Sequence, residues 1–364
     1  MGKSTIKLTR KIQVQIDLPT KEERKEKLDK LYQYQNRCFR AANIMVSHMY
    51  VQEMIKDFFL SEGIKYKLAD EKKDEDGILQ RSRINTTYRM ISDRFRGEIP
   101  IDILSSLNNN LLSTFNKNKS EYWQGQCSLK NFKREMAFPF PPKSMGRISY
   151  KPEKKAFCFR LFSIPFKTYL GKDFTDKRKL LERLVVGDIK LCTSHIKVKD
   201  GKTFWLAVFE IEKESNGLDP ALIAEASLSL EYPIIVQAGK TKLTIGTKEE
   251  FLYRRLAIQV AYKRAQIGAT YSRSGKGRKR KLKAVDRLRK SESDYVHHRI
   301  HVYSRRLIDF CIKHRAGTLI LLNQEDKMDI AKKEEFVLRN WSYYELMTKI
   351  KYKAEKAGIE LIVG

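Results

Sequence analysis

Asn340-Trp341-Ser342-Tyr343-Tyr344-Glu345-Leu346, running on through Ile350-Lys351-Tyr352-Lys353-Ala354-Glu355 to Gly358-Ile359, is the stretch on which the fold turns. Ser342 with Glu345 three residues later is a capping box, which opens a helix by satisfying its first free N–H groups. Trp341, Tyr344, Met347, Ile350 and Ala354 recur at three- and four-residue intervals and supply a buried stripe. Gly358 can take the backbone conformation that ends a helix. The pattern predicts a helix over 342–357 and a strand over 359–363.

Working outward, Gly317 to Asn323 is an apolar run that predicts a buried strand at 317–323. Long helices are expected near 249–267 and 284–314, and strands near 226–237 and 241–245. The last third therefore has an α/β texture. At the other end, Ile6, Leu8, Ile12, Val14 and Ile16 alternate with Lys7, Thr9, Lys11, Gln13 and Gln15, a half-buried strand over 5–17 with a basic outer face. Pro19-Thr20 with Glu22 and Glu23 opens a helix that continues to about residue 60. A charged break at 68–77 reads as a loop, and helices follow at 79–96 and 100–121. From about 135 the texture changes to strand, punctuated by Pro139, Pro141 and Pro142. Asp200-Gly201 between runs at 188–198 and 203–212 is a hairpin signal. Glu214 to Gly217 reads as a linker.

The chain has 364 residues, with 73 Lys and Arg against 44 Asp and Glu, a formal charge of +29. Such an excess repels itself unless a polyanion neutralises it, and nucleic acid is the natural partner. With 41% hydrophobic residues the chain can bury substantial cores. Cys38, Cys127, Cys158, Cys192 and Cys311 are scattered, without a zinc-type Cys-x-x-Cys, and are expected to be buried free thiols in a reducing cytosol. No signal peptide or membrane-length apolar run is present, so the expected location is the cytoplasm, nucleoid-associated in a bacterium, with no membrane contact. Neither a metal site nor a small-molecule cofactor is expected. His297, His298 and His301 read as surface or phosphate-facing, because no carboxylate or thiol is spaced in sequence to complete a metal site.

The basic residues are concentrated. Residues 251–290 carry fourteen Lys and Arg against the single acid Asp286. From Arg254, Arg255 and Arg264 the run continues through Arg273, Lys276, Arg278, Lys279, Arg280, Lys281 and Lys283, and its centre, 272–281, is expected to be a Gly-flexible loop between two helices that follows a phosphate backbone. In the helical block, Arg37, Arg40, Arg81, Arg83 and Arg89 are interleaved with Tyr32, Tyr34, Tyr88 and Phe95, which suits phosphates and unstacked bases. Lys130, Lys133 and Arg134 extend the set.

The string Trp341 to Leu346, then Ile350, Tyr352-Lys353-Ala354 and Gly358-Ile359, closely resembles a signature in the RuvC-like domain of transposon TnpB proteins and miniature type V-F CRISPR effectors. Glu250-Phe251-Leu252-Tyr253-Arg254-Arg255-Leu256 resembles that family's helix after the first RuvC hairpin. Gly125-Gln126-Cys127-Ser128-Leu129-Lys130-Asn131-Phe132-Lys133 resembles its junction of recognition and wedge domains. The resemblance implies an α+β multidomain fold. A helical recognition domain (20–121) is inserted in a β-barrel-like wedge domain (1–19 and 122–213). A linker (214–222) then leads to a truncated RuvC-like, RNase H-like domain (223–364) without zinc ribbon or last catalytic segment.

Members of the family are RNA-guided DNA endonucleases, and a RuvC site needs three carboxylates to hold two Mg²⁺ ions. The resemblance puts Ser227 at the first acid, in Ala226-Ser227-Leu228, and Leu322 at the second, in Leu321-Leu322-Asn323. The third would lie beyond Gly364. Glu225 or Glu231, and Glu325 or Asp326, are the acids near enough to substitute. The resemblance to inactivated members implies an RNA-guided, sequence-specific DNA-binding protein without nuclease activity. Its partners would be a guide RNA and duplex DNA with a short flanking motif. It would regulate transcription by occluding a promoter or by recruiting a sigma factor and RNA polymerase, and a homodimer on one guide is a further expectation. The alternatives are an active guided endonuclease with displaced carboxylates, or an RNA-binding transposon accessory protein.

Overall fold

Strand β1 (Thr5–Ile16) buries Ile6, Leu8, Ile12, Val14 and Ile16 and turns Lys7 and Lys11 outward, as its alternation predicts. The computed structural model describes residues 5–63, 83–171, 175–228, 232–271, 274–322 and 343–364. They divide into two compact units, Lys7–Ile211 and Glu212–Gly364, the latter grouped with Met1–Ile6.

In the first unit β1 leads to helix α1 (Lys21–Ser61), whose Thr20 hydroxyl accepts the Glu23 N–H at 3.2 Å while the Glu23 carboxylate accepts the Thr20 N–H, a complete capping box. Helices α2 (Arg83–Arg94) and α3 (Ile101–Trp123) pack on it. Residues 79–82 of the expected second helix and the break at 68–77 lie outside the described residues. Strands β2 (Phe138–Phe140), β3 (Ser149–Lys151), β4 (Ala156–Leu161) and β5 (Ile164–Tyr169) follow. Helix α4 (Lys177–Val186) comes next, unforeseen in the sequence, then β6 (Lys190–Leu191), β7 (Ser194–Lys199) and β8 (Lys202–Glu212). The sheet runs β2-β7-β8-β1-β5-β4-β3, with β6 also on β8, so β1 lies between strands far from it in sequence.

The β7–β8 turn is Asp200-Gly201, both at positive φ (52° and 72°), which matches the twist of a tight hairpin. Helix α1 is tied to this hairpin by a side chain acting as a strand. The buried Gln35 amide accepts the Val198 N–H at 2.7 Å and donates to the Val198 carbonyl at 3.0 Å. Trp205, Phe157, Phe166 and Phe209 fill the sheet's core.

In the second unit β9 (Asp219–Ser227), β10 (Ile234–Ala238) and β11 (Thr241–Ile245) form an antiparallel meander. Helices α5 (Lys248–Thr270) and α6 (Gly275–Lys313) lead to β12 (Ala316–Leu322), and α7 (Tyr343–Ala357) to β13 (Glu360–Val363). The sheet order is β11-β10-β9-β12-β13, with β12 parallel to both β9 and β13. One face is closed by α6 and α7, where Ala224, Ala226, Leu319 and Leu321 meet Ile300, Leu307, Ile350 and Ala354. Ser342 lies outside the described residues, but the helix its capping box with Glu345 announces is present.

Several expectations are corrected. The strand expected over 226–237 is two strands, because β9 ends at Ser227 and β10 begins at Ile234. The expected linker 214–222 contains the start of β9, whose Asp219 N–H donates to the Arg315 carbonyl at 3.0 Å. The expected loop 272–281 is largely the first turns of α6. Ser274 caps them by accepting the Gly277 N–H, so Gly275 and Gly277 sit where the helix has not yet closed and their cost is small. Cys38, Cys158 and Cys311 are buried thiols, whereas Cys127 and Cys192 are half-buried. Among the described residues no helix is long and apolar enough to cross a membrane.

Where β12 meets β9 the register shifts at Gly317, and a Cβ there would stand 2.6 Å from the Asp219 carbonyl oxygen. Backbone cannot yield as a flexible side chain does. Gly317→Ala is therefore expected to lower stability by about 1–3 kcal/mol, while Gly268→Ala, in open space on α5, should raise it by roughly 0.5–1 kcal/mol. Urea unfolding of the two variants beside the parent checks both signs.

Candidate nucleic-acid interface

The antiparallel pair α5 and α6 carries the densest positive charge of the chain. Lys276, Lys279, Arg280 and Lys283 are exposed on the first turns of α6, and Arg254 and Arg264 are exposed on α5. Not every expected cation is available. Arg255 is drawn into the hairpin, where its Nε donates to Glu292 at 2.9 Å and its side chain is only 12% exposed. Lys281 donates to the Gly268 carbonyl at 2.8 Å, satisfying the negative end of α5. Arg273 lies outside the described residues, and Arg278 lies on α6 with its side chain outside them.

The same hairpin presents Tyr253 and Tyr271, each 80% exposed, near the two ends of α5. An exposed aromatic ring among cations offers a stacking face to an unpaired base. These two rings were missed in the sequence. Their signal was that they fall off the apolar stripe, within a basic run. The aromatics singled out instead serve other ends. Tyr34 is buried edge-on against Phe138 and Phe162, Phe95 is core, and the Tyr32 hydroxyl accepts the Gly201 N–H at 3.0 Å. Tyr88 is half-buried.

On the first unit Arg40 and Arg89 are exposed, but Arg37 is latched to Glu98, reaching its carboxylate at 3.1 Å and its carbonyl at 2.9 Å. Arg81 lies outside the described residues, as does the side chain of Arg83. The 125–133 segment is fixed to α1 by Asn43, which accepts the Phe132 N–H at 2.8 Å and donates to the Phe132 carbonyl at 3.1 Å. Lys130 and Lys133 are exposed on it, and Arg134 lines a groove with Asn36 and Lys199.

A second basic recess went unnoticed in the sequence because its cations come from separate elements between residues 154 and 179. Lys154, Lys155 and Lys167 line it with Arg178 and Lys179 of α4, beside the exposed ring of Tyr169. Asp17 accepts from Lys154 at 2.6 Å and holds that ammonium above the usual lysine range, and Glu182 at 3.0 Å does the same for Arg178. Both cations stay charged at any physiological pH.

Ser227 and Leu322, the positions expected to hold the first two acids, are direct partners in the parallel pairing of β9 and β12, at the ends of both strands. They lie on the sheet face opposite the Ala224–Ala226 core. Glu225 is exposed two residues before Ser227 and pairs with Ile320, while Glu360 pairs with Thr318 on the far side of β12. Two strand spacings and two residues separate Glu225 from Glu360, roughly 11–12 Å between backbones. Glu231, Glu325 and Asp326 lie outside the described residues. Among the described residues no group of three or more His, Cys, Asp or Glu is placed to hold a metal ion, so the residues described do not fit a pair of Mg²⁺ ions.

No protein-family profile matches the chain. It is, however, 25% identical over 267 residues, 68% of its length, to the CRISPR-associated endodeoxyribonuclease Cas12f1 of Sulfoacidibacillus thermotolerans. It is 22% identical over 79% of its length to the Cas12f1 of Syntrophomonas palmitatica. Both alignments span 62% of the relative, so the chain matches about three-fifths of the length of these curated relatives. Its fold superposes on that of a Cas12f1–sgRNA–target DNA complex with a TM-score of 0.66, covering 98% of this chain and 88% of that one at 16% identity. The chain is thus similar in sequence and fold to the miniature type V CRISPR effectors. It has a mixed α+β fold and a strongly basic surface, while its strand-end positions 227 and 322 hold a hydroxyl and an alkyl chain.

If the α6 cations meet phosphate, replacing Lys276, Lys279, Arg280 and Lys283 with alanine should flatten the dependence of log affinity on log salt by up to about 0.9 per lost duplex contact. Arg255→Ala should leave that slope unchanged and lower the unfolding temperature instead. Filter binding across a salt series, with thermal melts of both variants, separates the two roles.

Proposed function

We propose that this chain is an RNA-guided DNA-binding protein whose RuvC-like domain does not cut its target. One observation carries the reading: the two strand-end positions where carboxylates would face each other are Ser227 and Leu322, paired across β9 and β12. A serine hydroxyl is neutral and a leucine offers no oxygen, so the pocket lacks the anionic ligands that hard divalent ions require. The binding surfaces do not depend on those acids. In guided effectors base pairing reads the sequence, while the protein holds the heteroduplex by its shape and backbone and reads a short flanking motif. The α5–α6 hairpin and the Lys154–Arg178 recess supply cations and exposed rings for that task. A complex that binds without cutting would act on transcription, repressing by occupying a promoter or activating by holding a sigma factor and RNA polymerase there.

A second reading is an active guided endonuclease. It is favoured by the relatives, which carry the name endodeoxyribonuclease, and by Glu225 standing two residues from Ser227 on the same sheet face.

One experiment separates them. The protein is loaded with the RNA that co-purifies with it and given matched or scrambled duplex with Mg²⁺. We expect a gel shift that follows guide complementarity and intact strands throughout. Mg²⁺-dependent scission abolished by Glu225→Gln would establish the second reading. A shift indifferent to complementarity would instead favour an RNA-binding accessory role.

A further inference from the structure

His297 and His301 stand one helical turn apart on α6, the spacing at which two imidazoles project from one face. Their rings approach edge to face with centroids 4.6 Å apart, and the two Nε2 atoms converge to 3.1 Å. The sequence spaces no carboxylate to complete a site with them, but the fold brings one from another helix. Glu345, in the first turn of α7, reaches His297 Nδ1 with Oε1 at 2.6 Å. That hydrogen bond places the proton on Nδ1 and leaves the Nε2 lone pair of His297 aimed at His301. The backbone beneath is held as well, because Lys353 of α7 donates to the His301 carbonyl at 2.6 Å and to the Ser304 hydroxyl at 2.8 Å.

Two nitrogens 3.1 Å apart are too close for two lone pairs to face each other without a bridging proton or cation. A metal with bonds of about 2.05 Å to both would subtend roughly 100°, an ordinary angle for a tetrahedral or cis-octahedral pair. The carboxylate on the far nitrogen of a ligating histidine is the usual outer partner at such sites, fixing the tautomer and raising the basicity of the ligand. We propose that His297 and His301 form a two-nitrogen chelate for a borderline divalent transition metal such as Zn²⁺, Co²⁺ or Ni²⁺, with Glu345 positioning His297 and the remaining coordination positions open to water. Imidazole selects these ions over Mg²⁺ and Ca²⁺, which favour oxygen ligands. The site is separate from the strand-end pocket of β9 and β12 and does not depend on whether that pocket cuts DNA. Lys349 and Lys353 on α7 oppose a dication. They are the reason to expect a modest site rather than a structural one.

The test uses the full, untagged chain freed of RNA, titrated with Zn²⁺ by calorimetry and with Co²⁺ by its visible absorption. We expect one site per chain, weakened at least tenfold in His301→Ala and in His297→Gln, and tenfold to a hundredfold in Glu345→Gln, with no competition from millimolar Mg²⁺. Because His297 and Glu345 are more than a third exposed, the last two variants should melt like the parent without metal. The rise in melting temperature that Zn²⁺ gives the parent should be smaller in them at the same Zn²⁺ concentration. Zn²⁺ affinity and Co²⁺ spectrum unchanged in the two histidine variants, or displaced by Mg²⁺ in the parent, would overturn the proposal.

Discussion

The parallel register of β9 on β12 is the constraint from which the second unit follows. A parallel strand needs a crossover, and here the crossover is the long excursion through β10, β11, α5 and α6 before the chain returns at Ala316. Both strands are central, and β12 is buried along almost its whole length, which is why it reads as a continuous apolar run. Gly317 lets the two backbones close where the register shifts. Once that pairing is set, every later residue on β12 has a fixed neighbour on β9, and Leu322 comes to rest opposite Ser227.

The crossover also explains where the charge sits. Helices α5 and α6 run well beyond what is needed to return the chain to the sheet. Their far ends carry Lys276, Lys279, Arg280 and Lys283 away from the apolar packing at Val296, Ile300 and Leu307. The hairpin is held together by polar contacts placed between core and tip. Glu292 accepts from Arg255 and Gln259, Glu250 accepts from Arg299, and Arg254 lies over the Tyr295 ring at 5.4 Å. Acids are scarce in this region, and Glu250 and Glu292 are engaged by neighbouring arginines, so they add little to offset the tip's charge.

How much of this was legible depends on the range of the interaction. Local rules read well. The Thr20 capping box, the Asp200-Gly201 turn and the alternation of β1 each specify backbone from a few adjacent residues. The start of α6 was misread because two glycines look like a loop unless the Ser274 cap is weighed with them. Pairings across long stretches were hidden. Nothing near Arg37 announces Glu98, sixty-one residues away, and nothing near Arg255 announces Glu292. Both cations looked free and are structural. The same blindness hid the Lys154–Arg178 recess and the carboxylate behind His297, since each is assembled by the fold from separate elements. At positions 227 and 322 the family resemblance supplied what periodicity could not, namely that these two residues meet.

The pairing of Ser227 with Leu322 has a consequence for stability that bears on the proposed function. Two carboxylates at directly paired positions would stand about 5 Å apart, and at an effective dielectric near 20 they would repel by roughly 3 kcal/mol. In a nuclease that strain is offset by bound metal. Without the metal it only weakens the strand ends. A hydroxyl and an alkyl chain remove the repulsion and leave Leu322 beside Ile320 on the same face. The exposed cations lie on α5, α6 and the first unit, and none of them is anchored through the two strand ends.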